Sequence, residues 1–136
     1  MHGDEALILA ANDAFYGAFA RRDVDAMETL WARNIAVACI HPGWEVLRGR
    51  GEVMASFHAI LASPNAPPIK ADHAQVTLLG GDVAIVVCTE SIDGTELVAT
   101  NLFVREDGSW KLAHHQAGPI ARRSAPPRRT PPTVLN

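Results

Sequence analysis

A chain of 136 residues and 14.6 kDa, 48% of it hydrophobic, is long enough for one domain with its own core and is not a disordered chain. No run approaches the roughly 20 consecutive apolar residues of a membrane-spanning helix, so no membrane association is expected. The formal charge of −3 is unevenly spread, because residues 1–120 carry 8 basic against 15 acidic side chains while Arg122, Arg123, Arg128 and Arg129 all fall in 121–136. An acidic body lacks the clustered cations that neutralise phosphates, which excludes a nucleic-acid groove. Met1-His2-Gly3-Asp4-Glu5 has neither the basic start nor the apolar core of a secretory signal, and Cys39 and Cys88 sit in apolar runs where buried free thiols are expected. A cytoplasmic protein follows from that reading.

Ile8, Ala11, Phe15 and Phe19 recur at helical spacing, with Leu7, Ala14 and Ala18 widening the stripe, which predicts an amphipathic helix over 4–22. Asp23 is placed to cap a second, shorter helix whose buried side is Met27, Leu30 and Trp31. A β-rich run over 34–40 ends at His41-Pro42-Gly43-Trp44, with Pro and Gly at the central positions of a type II turn, and a short strand over 45–48 is expected after it. Val53, Met54, Phe57, Ile60 and Leu61 then mark a third helix, stopped by Pro64 and Pro67-Pro68. Gly80-Gly81-Asp82, Asp93-Gly94 and Asp107-Gly108 separate four strands, over 69–79, 83–92, 95–106 and 109–117. The domain is expected to span 1–120, and the Pro/Arg-rich stretch 121–136, without periodic apolar residues, to be an extended or disordered tail.

Two-residue turns at Asp93-Gly94 and Asp107-Gly108 set a pairing by counting: Glu90 opposite Leu97, Cys88 opposite Ala99, Asn101 opposite His114, Phe103 opposite Leu112. One face then holds Ala84, Val86, Cys88, Glu90, Leu97, Ala99, Asn101, Phe103, Trp110, Leu112, His114 and Gln116, and the same parity adds His73, Gln75, Thr77 and Leu79. The other face carries Val76, Leu78, Val83, Ile85, Val87, Val98, Thr100, Leu102, Val104 and Ala113, interrupted by Lys111 and His115. Three helices cover one face only, so a second subunit is expected on the other, making a homodimer.

This order of elements, with Ala-Phe-Ala-Arg-Arg-Asp-Val-Asp-Ala-Met at 18–27, Leu30-Trp31, Cys-Ile-His-Pro-Gly-Trp at 39–44 and Asp-Gly-Ser-Trp-Lys-Leu-Ala-His-His-Gln-Ala at 107–117, resembles the SnoaL-like branch of the nuclear transport factor 2-like superfamily over residues 4–118. The resemblance implies an α+β cone, a curved and mainly antiparallel sheet wrapped around about three helices, and a dimer through the sheets. It leaves the chemistry to the pocket, since that superfamily includes ketosteroid isomerase, scytalone dehydratase, polyketide cyclases and proteins without known reaction. The ketosteroid isomerase mechanism does not carry over, because Tyr16 is the only tyrosine and the counted register puts no Asp on the pocket face.

His114 is the leading catalytic candidate, an imidazole able to exchange protons near neutrality beside Asn101; the other reading is a hydrogen-bonded core histidine. Glu90 is read either as a general base whose pKa burial raises or as a wet residue near the strand end. His73, Glu90 and His114 form a zinc-compatible set of residue types, but no His-x-His or His-x-x-x-His spacing supports it, and neither metal nor cofactor is expected. His41 and Trp44 flank the turn either as a rim over a flat ligand or as a plug on the third helix. Tyr16, Trp31, Phe57, Phe103 and Trp110 have core spacing, and with Gln75, Gln116, His73 and Asn101 they complete the candidate ligand-binding set. The expected ligand is small and hydrophobic or aromatic, and the expected activity is general acid–base lyase or isomerase chemistry. The rival is a non-catalytic ligand-binding or dimerisation module.

Overall fold

The computed structural model describes residues 2–121; the tail reading for 122–136 lies outside the described residues. Nine elements follow in order: α1 (His2–Arg21), α2 (Val24–Leu30), β1 (Ala38–Ile40), β2 (Leu47–Arg48), α3 (Gly49–Ala62), β3 (Ile69–Leu78), β4 (Val83–Ile92), β5 (Thr95–Glu106) and β6 (Ser109–Pro119). The strands form one sheet in the order β2-β1-β6-β5-β4-β3, antiparallel except where β1 runs parallel to β6. This is the α+β architecture expected, with α1 laid across β3, β4 and β6.

Local chemistry sets each boundary. The α1 stripe is rotated from the predicted one: Ile8, Asn12, Phe15, Tyr16 and Ala18 are buried, while Leu7 and Ala14 face solvent. Arg22 leaves the helix at φ 55, and Asp23 accepts a 3.0 Å hydrogen bond from the Ala26 N–H to start α2. Trp44 N–H donates to the His41 carbonyl at 2.9 Å with Gly43 at φ 82, the type II turn predicted. Both strands around it are shorter than expected, 38–40 and 47–48 instead of 34–40 and 45–48. Asp93-Gly94 and Asp107-Gly108 each have two positive φ angles (49 and 80, 51 and 79), the geometry that closes two-residue hairpins with the twist of the flanking strands.

The β4–β5 register is the counted one throughout, with Cys88 opposite Ala99 and Glu90 opposite Leu97. The β5–β6 register is not. Phe103 pairs with Leu112 but Leu102 pairs with His114, so Ala113 is an extra, bulged residue and Asn101 lies opposite His115. Beyond the bulge the faces exchange: His115 and Ala117 are buried inside, and His114 and Gln116 belong to the outer side. A second bulge between Asp72 and Gln75, with His73 at φ 58, does the same to β3. Val76 and Leu78 therefore pack inward on the core, whereas Gln75 and Thr77 pair with Val87 and Ile85 on the outer face. Cys39 and Cys88 are free and buried, as expected.

Candidate functional site

Where the open end of the sheet meets α1 and α3, a cavity of about 370 Å³ enters the molecule, within the usual range for small-molecule sites. Its buried end is formed by Glu90, His115 and His41. Phe19, Ile60, Ile69 and Ile92 line the half-buried walls, and Pro42, Trp44 and Asn65 stand at the exposed rim. Trp44 is 47% exposed and packs edge-on against His41, with ring centroids 4.8 Å apart.

Hydrogen-bond accounting fixes the protons behind this surface. The two amide hydrogens of Asn101 go to Asn12 Oδ1 at 2.8 Å and to the Tyr16 hydroxyl at 3.2 Å. Tyr16 in turn donates to Glu90 Oε2 at 2.6 Å and has Cys88 Sγ at 3.4 Å. Asn101 Oδ1, an acceptor only, lies 2.5 Å from His115 Nδ1, so that nitrogen carries the proton. His115 Nε2 is then the basic nitrogen, and it faces Glu90 Oε2 at 3.9 Å. In the same way the Ser56 hydroxyl donates to the Val53 carbonyl at 2.7 Å, leaving its oxygen to accept from His41 Nε2 at 2.9 Å.

Burial works against the charged form of each of these groups. Desolvation, then the neighbouring His41 and His114, lower His115 to about 3, and desolvation lowers His41 to about 4. Desolvation raises the Glu90 carboxyl, opposed by the Tyr16 hydrogen bond that favours its ionised form. Desolvation followed by the Glu90 charge pushes the Tyr16 phenol upward, so that it stays a donor. A carboxyl held towards its acid form beside an imidazole held towards its base form is an acid–base pair with opposed assignments.

The structure gathers Tyr16, Glu90, Asn101, His41 and Trp44 of the sequence candidates at this end of the fold. It corrects His114, half-buried on the outer side and paired with Leu102, because the Ala113 bulge hands its expected position to His115. Gln116 and Gln75 are likewise corrected to the exposed outer side, and His73 projects from the β3 bulge into solvent. His73, Glu90 and His114 thus do not converge, and among the described residues no three His, Cys, Asp or Glu side chains are grouped to hold a metal ion. Trp31, Phe57, Phe103 and Trp110 are buried core residues that do not line this cavity; Trp110 lies under the Arg105 guanidinium at 4.7 Å. Asn12 and Ser56 were missed. Asn12 had a signal, since Ile8, Asn12 and Tyr16 are spaced by four and share one face of α1.

Three helices packed against a six-stranded, mainly antiparallel sheet define the class of protein. The SnoaL-like domain model matches residues 8–122, and the chain belongs to that family. Among solved structures, a Streptomyces avermitilis protein of the nuclear transport factor 2-like family, for which a dehydratase activity has been suggested, is 34% identical with a TM-score of 0.82, covering 89% of this chain and 99% of that one. A Thiobacillus denitrificans protein assigned as a calcium/calmodulin-dependent protein kinase type II association domain is 32% identical with a TM-score of 0.68, over 82% and 94% of the two chains. The F-box protein SKIP8 of Arabidopsis thaliana is 28% identical over 112 residues, 81% of this chain and 48% of that protein, so the chain spans about half the length of that curated relative. Among the described residues no helix is long and apolar enough to cross a membrane.

Proposed function

We propose that this protein binds a small apolar molecule in the cavity and acts on it as a cofactor-independent lyase or isomerase, with Glu90 as general acid and His115 as general base. The observation that carries the reading is the 3.9 Å approach of His115 Nε2 to Glu90 Oε2 at the cavity's closed end, where Asn101 holds the Nδ1 proton of His115 and Tyr16 orients the Glu90 carboxyl. In a dehydration, His115 Nε2 takes the proton from the carbon next to a carbonyl, the new double bond forms, and the carbon–oxygen bond of the β-hydroxyl breaks as Glu90 gives that oxygen its proton. Water leaves, and the proton on His115 returns to Glu90 through one intervening water. An isomerisation uses the same two groups, one removing a proton and the other returning one. The dehydratase suggestion for the Streptomyces avermitilis relative supports the elimination. A cytoplasmic homodimer, joined through the outer sheet face, is part of this reading.

A non-catalytic binding module is the second reading. It is favoured by the closure of the Asn12–Asn101–Tyr16–Glu90 chain, which satisfies these polar groups without any ligand. The two separate on turnover of a panel of cyclic β-hydroxyketones, followed by ultraviolet absorbance of the conjugated enone. An enzyme converts at least one of them, and Glu90→Gln and His115→Gln each lower kcat by roughly 10²–10⁴-fold while His114→Gln does not. Binding without conversion by the wild type selects the module instead.

A further inference from the structure

The cavity reading leaves open what kind of small molecule enters, and the charges around it decide that. No lysine or arginine lines the cavity among the described residues; its ionisable groups are Glu90, His41 and His115. Each imidazole spends one N–H on a neutral acceptor, His41 on Ser56 Oγ and His115 on Asn101 Oδ1, and among the described residues His41 has no carboxylate within ion-pair distance to hold a second proton. Burial works against the protonation of both.

Among the described residues, Arg22 and Arg50 spend their guanidinium groups on backbone carbonyls. Arg22 directs Nη1 and Nη2 at the carbonyls of Leu61, Ser63 and Ala66, closing the loop that bears the rim. Arg50 does the same for the carbonyls of Glu28, Trp31 and Ala32 at the end of α2. Lys70 is an exposed residue of β3 that pairs with Ser91 and does not line the cavity. An anion carried inward would lose its water beside a carboxyl group and gain no opposite charge, in a body where acids outnumber bases 15 to 8 over residues 1–120. An uncharged oxygen function meets the opposite situation: the basic Nε2 of His115 accepts from a hydroxyl, and the carboxyl of Glu90 donates to a carbonyl or hydroxyl oxygen.

We infer that the cavity selects uncharged ligands, an apolar ring system bearing a hydroxyl or carbonyl at its buried end, and excludes carboxylates, phosphates and other anions of the same size. This rests on the cavity being a binding site, and the experiment separates the two claims. The full chain is titrated by calorimetry near neutral pH with 2-naphthol and with 2-naphthoate, which share one ring system and differ in one charge. The expected result is binding of 2-naphthol at least about tenfold tighter than 2-naphthoate. Asn65→Arg, which adds a cation at the exposed rim, is expected to narrow that ratio by improving the naphthoate alone. Equal affinities in the wild type, or a naphthoate preference, overturn the charge selection and leave the pocket standing. Failure of both compounds to bind overturns the pocket reading and the selection with it.

Discussion

Two hairpins of one sheet, joined through β5, carry Glu90 and His115 to the cavity's buried end, and they differ by a single residue. β4 and β5 pair without interruption from Val83–Val104 to Ile92–Thr95, so every side chain keeps the face that counting from the Asp93-Gly94 turn assigns. β5 and β6 start from the same kind of turn but carry Ala113 as an extra residue, and everything beyond it changes face. Glu90 comes from the regular hairpin and His115 from the bulged one. Regular pairing transmits a turn's register along a strand; one bulge cancels it.

The largest effect expected is therefore a contrast between two deletions. Removing Thr100 from β5 shifts Thr95–Ala99 by one position, so Leu97 and Ala99 turn outward and Val98 and Glu96 inward, which should cost about 4 kcal/mol or more, or prevent folding. Removing Ala113 makes β6 regular while Leu112 stays opposite Phe103 and His115 opposite Asn101, so it should cost only about 1–2 kcal/mol, mainly a buried alanine and the local bend. Urea unfolding of the two variants measures the difference. Comparable losses would show that the bulge is required by its neighbours, Trp31 and Ala38 of the parallel side, more than by the β5 pairing.

The same contrast accounts for what the sequence made legible. Glu90, Asn101 and Phe103 lie on the face assigned to them because only a two-residue turn separates them from a known reference. His114 and His115 were exchanged because alternation was carried through a break that counting does not see. The break leaves a trace in composition: inward apolar residues are even at Trp110 and Leu112 but odd at Ala117, and in β3 they change from Ile69 and Ala71 to Ala74, Val76 and Leu78. Which helix and strand aromatics reach the cavity was not legible, whereas a rim position was one of the two readings offered for Trp44. Trp31, Phe57 and Phe103 have the same helical or strand spacing as residues that line it, and only the packing of α1 and α3 against the sheet separates Phe19 from them.

Titration sharpens the comparison, because the regular hairpin and the bulged side contribute with opposite signs. His115 and His41 have folded values lowered from 6.5 to about 3 and about 4, so the unfolded chain takes up their protons first. Their contribution is complete above about pH 6.5 and is lost as pH falls towards those folded values, about 2 kcal/mol for each by about pH 5. Glu90, raised from 4.5, acts the other way: its contribution is present below that value and is lost as pH rises through its folded value. The sum favours the two imidazoles, and unfolding free energy should fall by about 2–4 kcal/mol between about pH 7.5 and about pH 5. His115→Gln should reduce that slope. A stability independent of pH over this interval would contradict the neutral assignment of both histidines.

The smallest effect on the fold is expected on the outer face of the regular hairpin, where it should be largest on assembly. Val87 and Val98 are 44% and 46% exposed, beside half-buried Ile85, Leu102 and Val104, although they belong to the most regular part of the sheet. A face this apolar with nothing over it among the described residues is the kind that a second copy covers, and β4 and β5 place it opposite the cavity, where pairing leaves the entrance open. Val87→Asp together with Leu102→Asp puts carboxylates where water reaches them in a monomer but not in a dimer, so monomer stability should change by about 1–2 kcal/mol while association is lost. Sedimentation equilibrium of wild type and double variant at micromolar concentration reads this directly. A wild type that sediments as a monomer removes the dimer, and with it the reason for β-branched residues on that side of β4 and β5.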